Sequence, residues 1–238
     1  MKIALIGYGK MGHAIEEIAS QKGHEIVLRI GIENMEDFTI ENVSKADVAI
    51  EFTSPHSAAE NIKKCIDAGV AVVSGSTGWL QQWGDVKNYV INKDGALIYA
   101  SNYSIGVNLF FELNSFLAKL MSKHEGYNAS MEEIHHTQKK DAPSGTAITL
   151  AEQLMQEIKR KKQWVNHISD NPEELEIISE RIDPAPGTHK IKYSSDIDDI
   201  EIIHTAHNRK GFAAGAVLAA EFICGKKGIF SMKDVLNL

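Results

Sequence analysis

Cysteine is almost missing from this 238-residue sequence: Cys65 and Cys224 are the only two, far apart and without CxxC spacing. That excludes a disulfide framework and a thiolate metal cluster. Both fall in helical patterns, Cys65 between Ala58 and Ala68, and both are expected to be reduced core residues. Positive charge is in deficit as well. Lysine and arginine number 25 against 32 acidic residues, a formal net charge of -7 with a pI near 5.8. An acidic chain with no Lys/Arg-rich face argues against nucleic acid as a partner. The one basic cluster, Lys159-Arg160-Lys161-Lys162, reads as a solvated helix end, where cations complement the dipole. Long hydrophobic runs are lacking too. The opening Met1 to Ile6 runs straight into glycines and is too short for a signal peptide or a membrane span. The expectation is a cytoplasmic protein without membrane association, of one or two domains and able to bury a substantial core.

What is present begins with a glycine loop. Lys2 to Ile6 is strand-like, Gly7-Tyr8-Gly9-Lys10-Met11-Gly12 follows, and a helical pattern continues through Ile15, Ile18 and Ala19. G-x-G-x-x-G in a strand–turn–helix context reads as a dinucleotide-binding loop. Gly7 allows the tight turn, Gly9 lets a pyrophosphate approach, and Gly12 lets helix and strand pack closely. Further strands are expected at 25–30, 47–52, 70–73 and 96–100, with helices over 57–67 and 79–93 between them. Alternation of this kind gives a parallel sheet with right-handed crossovers, an α/β domain of Rossmann type. Ligands of such sheets sit beyond the carboxyl ends of the strands. Gly75-Ser76-Thr77 and Ala100-Ser101-Asn102-Tyr103 lie there with the glycine loop, and can pack on a nicotinamide and bond its carboxamide and ribose. The acid expected to hold the adenosine ribose is replaced by Gly31. Glu33, two places later, can take the ribose, or Arg29 can favour a 2′-phosphate, which leaves NADH and NADPH both open.

After Ser104 the character changes. Ile105 to Lys123 reads as a long helix, and then comes Glu132-Glu133-Ile134-His135-His136-Thr137-Gln138-Lys139-Lys140-Asp141-Ala142-Pro143-Ser144-Gly145-Thr146-Ala147. With Ser130 to Ile134 extended, His135 and His136 can share a pocket only where the strand ends. Lys139 then comes back within reach of His135. Pro143 disfavours helix at Ala142, so a helix starts near Gly145 or Thr146 and continues as Ala147, Leu150, Ala151, Leu154 and Ile158. Its first amides and the positive Lys139 make a site for a small carboxylate, with an imidazole beside it as proton donor. Strand-like pieces at 176–181, 188–193 and 200–205 complete an antiparallel α+β insert, whose open face other subunits would cover. Lys210 to Cys224 is a final helix, and Phe230 to Leu238 packs on something apolar. The expected domains are 1–103 with 210–238 for dinucleotide binding, and 104–209 for substrate binding and oligomerisation.

A metal site built on His135, His136, His204 and His207 has no clear carboxylate ligand and no HExxH context, so none is expected. A dinucleotide-binding sensor would have no need of His135, His136 and Lys139. A semialdehyde or sugar-type dehydrogenase on the same fold is the nearest rival by chemistry.

Across nearly its whole length the chain resembles the dihydrodipicolinate reductase family, which makes tetrahydrodipicolinate in the diaminopimelate route to lysine. The resemblance rests on Gly7 to Gly12, Glu51-Phe52-Thr53-Ser54-Pro55, Gly75-Ser76-Thr77, Asn102 to Gly106, Glu133 to Thr146, and Gly211 to Ala216. It implies His135 as proton donor, His136 as a substrate contact, and Lys139 as a second donor that meets a substrate carboxylate. It also implies Gly145 and Thr146 as a backbone carboxylate clamp. Gly7 to Gly12, Gly75 to Thr77 and Ala100 to Tyr103 become the cofactor loops, for NADH or NADPH. The substrate is a cyclic dicarboxylate and the assembly a homotetramer. The glycine loop is one residue shorter than in many relatives, and the acid at Gly31 is missing.

Overall fold

The computed structural model describes residues 1–208 and 210–238, in two compact units, Met1–Ile105 with Lys210–Leu238, and Gly106–Arg209. Short, strongly apolar runs build the first unit. β1 (Lys2–Ile6), β2 (Glu25–Ile30), β3 (Val48–Glu51), β4 (Ala71–Ser74) and β5 (Ala96–Tyr99) alternate with α1 (Lys10–Gln21), α2 (Ile40–Val43), α3 (Ala58–Asp67) and α4 (Trp83–Asn92). Period-two alternation divides each strand between two helical layers. Ile3 and Leu5 pack with Ile15 and Ala19 of α1, whereas Ala4 and Ile6 join Ile62 of α3 and Val90 of α4. Every pairing is parallel.

The chain enters the second unit through α5 (Ile105–Met121), then forms β6 (Asn128–His135), α6 (Gly145–Glu157), β7 (Gln163–Val165), β8 (Glu174–Arg181), β9 (Gly187–Ser194) and β10 (Asp199–Ala206). α7 (Lys210–Ile223), β11 (Gly228–Phe230) and α8 (Met232–Leu236) belong to the first unit. Its sheet runs β11-β5-β4-β3-β1-β2, so the expected apolar tail contributes a sixth parallel strand rather than mere packing.

Three expectations need correction. The insert sheet, in the order β10-β9-β6-β8-β7, is mixed rather than antiparallel: β6 pairs parallel with β8, and β7 with β8. The cause is α6, a crossover whose buried Ala147, Leu150, Ala151 and Leu154 lie in one core with Met131 and Ile177. Cys65 is buried, but Cys224 is exposed, because α7 ends at Ile223 and the buried face ends with it. The basic cluster is not a solvated helix end. α6 stops at Glu157, and Lys161 is buried, donating to Asn128 Oδ1 at 2.8 Å and to the Glu174 carbonyl at 2.6 Å. Burial pulls its pKa below the usual lysine value. Among the described residues no helix is long and apolar enough to cross a membrane.

Candidate functional site

In the first unit the loops at the carboxyl ends of the strands are shaped by what glycine omits. Gly7 has φ +101°, and an added Cβ would sit 1.9 Å from the Phe52 carbonyl oxygen. At Gly12 it would meet the Gly7 carbonyl oxygen at 2.7 Å, whereas at Gly9 it would meet nothing within 4 Å. The turn and the helix contact need the first and third glycines, and the space at the second admits a ligand to the first amides of α1. That cradle fits a pyrophosphate, which binds at helix N-termini of this kind. Lys10 is exposed at the first turn, and Met11 packs half-buried against the core.

The Tyr8 hydroxyl donates to Glu16, which also receives Arg29, through Nε at 3.1 Å and through Nη2. These bonds, Arg29 first and Tyr8 second, pull Glu16 down to about 2. The Gly31 amide donates to Asn34 Oδ1 at 2.8 Å, and Glu33 lies exposed in the short 3-10 helix that follows.

Gly75 packs on Phe52, whose ring carbon would be 2.2 Å from an added Cβ. Beneath it lies a group the sequence reading passed over. Glu51 is wholly buried, and its carboxylate accepts from Ser74 Oγ at 2.7 Å, Ser76 Oγ at 2.6 Å, the Thr53 amide at 3.0 Å and the Thr53 hydroxyl. The Ser76 side chain is therefore committed inward, and of Gly75-Ser76-Thr77 only Thr77 is exposed. Tyr103 is also internal: its hydroxyl donates to the Ser74 carbonyl at 2.7 Å, and Gly215 leaves room for its backbone. Ser101 is the exposed residue of that loop, Ala100 packs half-buried on the core, and Asn102, also half-buried, accepts the Ser104 amide through Oδ1 at 2.9 Å.

In the second unit the centre is Glu133. Ala129, Met131, Glu133 and His135 all point to the buried face of β6. Register places His189 of β9 opposite Glu133, and Arg181 of β8 opposite His135. Arg181 Nη2 donates to Glu133 Oε1 at 3.0 Å and to the Asp141 carbonyl at 2.6 Å. The Ser144 amide approaches both carboxylate oxygens at 3.1 Å. His135 Nδ1 lies 3.3 Å from Glu133 Oε2, and the two imidazole rings of His135 and His189 meet edge to face at 5.2 Å. Burial alone would raise the pKa of Glu133, but His135, Ser144, Ser179 and Arg181 outweigh it and hold the group well below the usual carboxylate range. His189 is pushed down to about 3 by burial and by the charge of His135, against the pull of Glu133.

His135 closes β6 and is buried; His136 follows outside the strand, half-buried. Lys139 returns through a turn, its amide donating to the His136 carbonyl at 3.1 Å, and its ammonium lies 2.8 Å from both oxygens of Asp141. Ser144 caps α6 by accepting from the Ala147 amide at 3.2 Å, which leaves Gly145 exposed and Thr146 half-buried at the helix start. Gly187 stands against His135 Nε2, where an added Cβ would be 3.0 Å away. Glu133, Arg181, His189 and Gly187 were missed as functional residues. The only signal in the sequence was the inward parity of Glu133 with His135 on one strand.

Residues 1–103 match the family described as dihydrodipicolinate reductase, N-terminus, and residues 106–236 match dihydrodipicolinate reductase, C-terminus. A 4-hydroxy-tetrahydrodipicolinate reductase from Christiangramia forsetii is 49% identical over 100% of this chain and 98% of its own. One from Methanoregula boonei is 37% identical over 82% of this chain and 76% of its own. Among solved structures, a dipicolinate-bound dihydrodipicolinate reductase from Paenisporosarcina sp. TG-14 superposes with a TM-score of 0.78 at 21% identity, covering 97% of each chain, a likeness of fold.

Proposed function

The chain belongs to the dihydrodipicolinate reductase family and reduces 4-hydroxy-tetrahydrodipicolinate to tetrahydrodipicolinate with NAD(P)H on the diaminopimelate route to lysine, and we propose that His135 gives the proton. The observation that carries this reading is the buried pairing of His135 with the ionised Glu133, on the strand that leads through Lys139 to the start of α6. The 4-hydroxyl leaves as water, and bound nicotinamide supplies the hydride that reduces the conjugated ring. Glu133 sits at Nδ1 of His135 and orients the ring, so Nε2, facing the space left by Gly187, carries the proton to be given. A positioned acid of this kind contributes about 10²–10⁴-fold.

Lys139 exchanges Asp141 for one substrate carboxylate, and the Gly145 and Thr146 amides receive the other, with His136 as a further contact. These groups counter the negative charge that grows on the ring as hydride arrives. Gly7 to Gly12, Gly75 to Thr77 and Ala100 to Tyr103 hold the dinucleotide, the last two loops through their backbones and through Thr77, Ser101 and Asn102. NADH is the preferred reductant, because Arg29 is engaged by Glu16 and Glu33 supplies a carboxylate for the ribose. The assembly is a cytoplasmic homotetramer. Leu109, Leu113, Phe116 and Leu120, each about half exposed, form one stripe along α5 that a second copy would cover.

The test is a coupled assay that generates the cyclic substrate and follows absorbance loss from NADH and, separately, NADPH. Turnover with NADH exceeding that with NADPH is expected. Equal or reversed preference would remove the Arg29–Glu16 argument.

A further inference from the structure

Glu133, His135 and His189 form a compact group of ligand-type side chains in the second unit. Each offers one donor atom within 4.8 Å of the others, and all three residues are buried. Glu133 Oε2 is 3.3 Å from His135 Nδ1 and 3.8 Å from His189 Nε2. Tetrahedral zinc with bonds of about 2.0–2.1 Å to nitrogen and oxygen holds its ligand atoms roughly 3.3–3.4 Å apart. One edge already has that length, the Glu133–His189 edge is 3.8 Å, and the third is within 4.8 Å, so the rings close on the ion as it enters.

A second observation points the same way. His135 is 8% exposed, yet its Nδ1 has no aligned hydrogen-bond partner among the described residues. The 3.3 Å approach to Glu133 Oε2 leaves that nitrogen without a well-aligned bond, and a cation between the two would satisfy both more fully. Two imidazoles and one carboxylate suit borderline divalent ions rather than Mg²⁺ or Ca²⁺. Arg181 occupies the other oxygen, Oε1, at 3.0 Å, and leaves Oε2 facing the rings. The Ser144 amide bridges both oxygens at 3.1 Å, and Ser144 Oγ lies 3.1 Å from His189 Nε2.

We propose that Glu133 Oε2, His135 Nδ1 and His189 Nε2 form a binding site for a transition-metal dication of the Zn²⁺ type, and that its occupancy inhibits the reductase. Ser144 Oγ releases His189 Nε2 as the ion enters. The ion takes Glu133 away from His135 and pins the imidazole, so the ring can no longer be charged and give its proton. Inhibition rests on the reading of His135 as donor; binding does not.

The experiment titrates Co²⁺ into the chelator-treated full-length enzyme and follows the visible ligand-field absorption of a tetrahedral ion. Zn²⁺ then competes, and turnover is measured in parallel. One Co²⁺ per chain with a tetrahedral spectrum is expected, displaced by Zn²⁺, with turnover falling as the site fills and returning after chelation. His189→Gln and Glu133→Gln, each checked for native circular dichroism, should weaken Co²⁺ binding by roughly a hundredfold or more, beyond the loss for a merely supporting residue. No stoichiometric binding by the wild type, or binding undiminished in both variants, overturns the site. Tight, variant-sensitive binding with unchanged turnover overturns the inhibition and the donor role of His135 together, a result distinct from failure to bind.

Discussion

Glu133 and His135 stand two residues apart on one face of β6, with Oε2 of the first 3.3 Å from Nδ1 of the second. The carboxylate is wholly buried, and Arg181 balances its charge at 3.0 Å. Glu133→Gln keeps the shape and removes the charge. Turnover should fall by about a hundredfold, the lower end of what a placed proton donor contributes. The KM for NADH should stay the same, because the loops proposed to hold the dinucleotide do not include Glu133. The variant should also lose ~3 kcal/mol of stability in urea unfolding, since Arg181 loses its buried partner. A KM rise with unchanged kcat would contradict the positioning role.

Lys139 holds Asp141 at 2.8 Å, and the substrate-carboxylate role proposed for it requires that pair to open. Lys139→Ala should weaken inhibition by pyridine-2,6-dicarboxylate by about ten- to a hundredfold, as expected for a lost charge-assisted bond. Asp141→Asn should tighten it, because the lysine no longer has a competitor. Inhibition constants for the two variants, moving in opposite directions, check the assignment.

Glu16 is the carboxylate that engages Arg29, the residue on which the proposed NADH preference rests. Bonds from Arg29 and Tyr8 hold its pKa down to about 2 from 4.5 in the folded chain. The folded value is the lower one, so the stabilisation is complete above 4.5 and is lost as pH falls toward 2. The pair is near the surface, so the effect stays within about 1 kcal/mol. Thermal unfolding across that range should show the decline in the wild type and less of it in Glu16→Gln. The same variant frees Arg29, and its NADPH to NADH turnover ratio should rise.

Gly75→Ala brings a methyl carbon within 2.2 Å of the Phe52 ring, so the ring or the loop after β4 must shift. A loss of about 1–3 kcal/mol is expected, the usual range for overpacking. The KM for NADH should rise, because the loop after β4 is displaced. Denaturant unfolding and initial rates measure the two effects.

Much of this architecture was legible because it is written locally. The glycine spacing 7, 9 and 12 dictates a turn followed by a helix, and Pro143 with Ser144 dictates where α6 begins. Strand pairing is not local. Nothing within a short window says that β8 lies parallel to β6, so the meeting of Arg181 and His189 with Glu133 stayed hidden. The same limit misplaced Lys161. Charge runs normally mark solvent, but here one lysine of the four finds the Glu174 carbonyl and Asn128 inside the unit. Tyr103 and Ser76 sit at strand ends where ligands bind, yet their hydroxyls bond the protein itself. Position along a strand was readable; the direction of the side chain was not.

The most direct measurement is the turnover of His135→Gln in the coupled assay, with NADH affinity determined separately by fluorescence titration. Nε2 of His135 is the atom to which the account assigns the proton, so kcat should drop by about 10²–10⁴-fold while the NADH dissociation constant is unchanged. Wild-type turnover in that variant would contradict it.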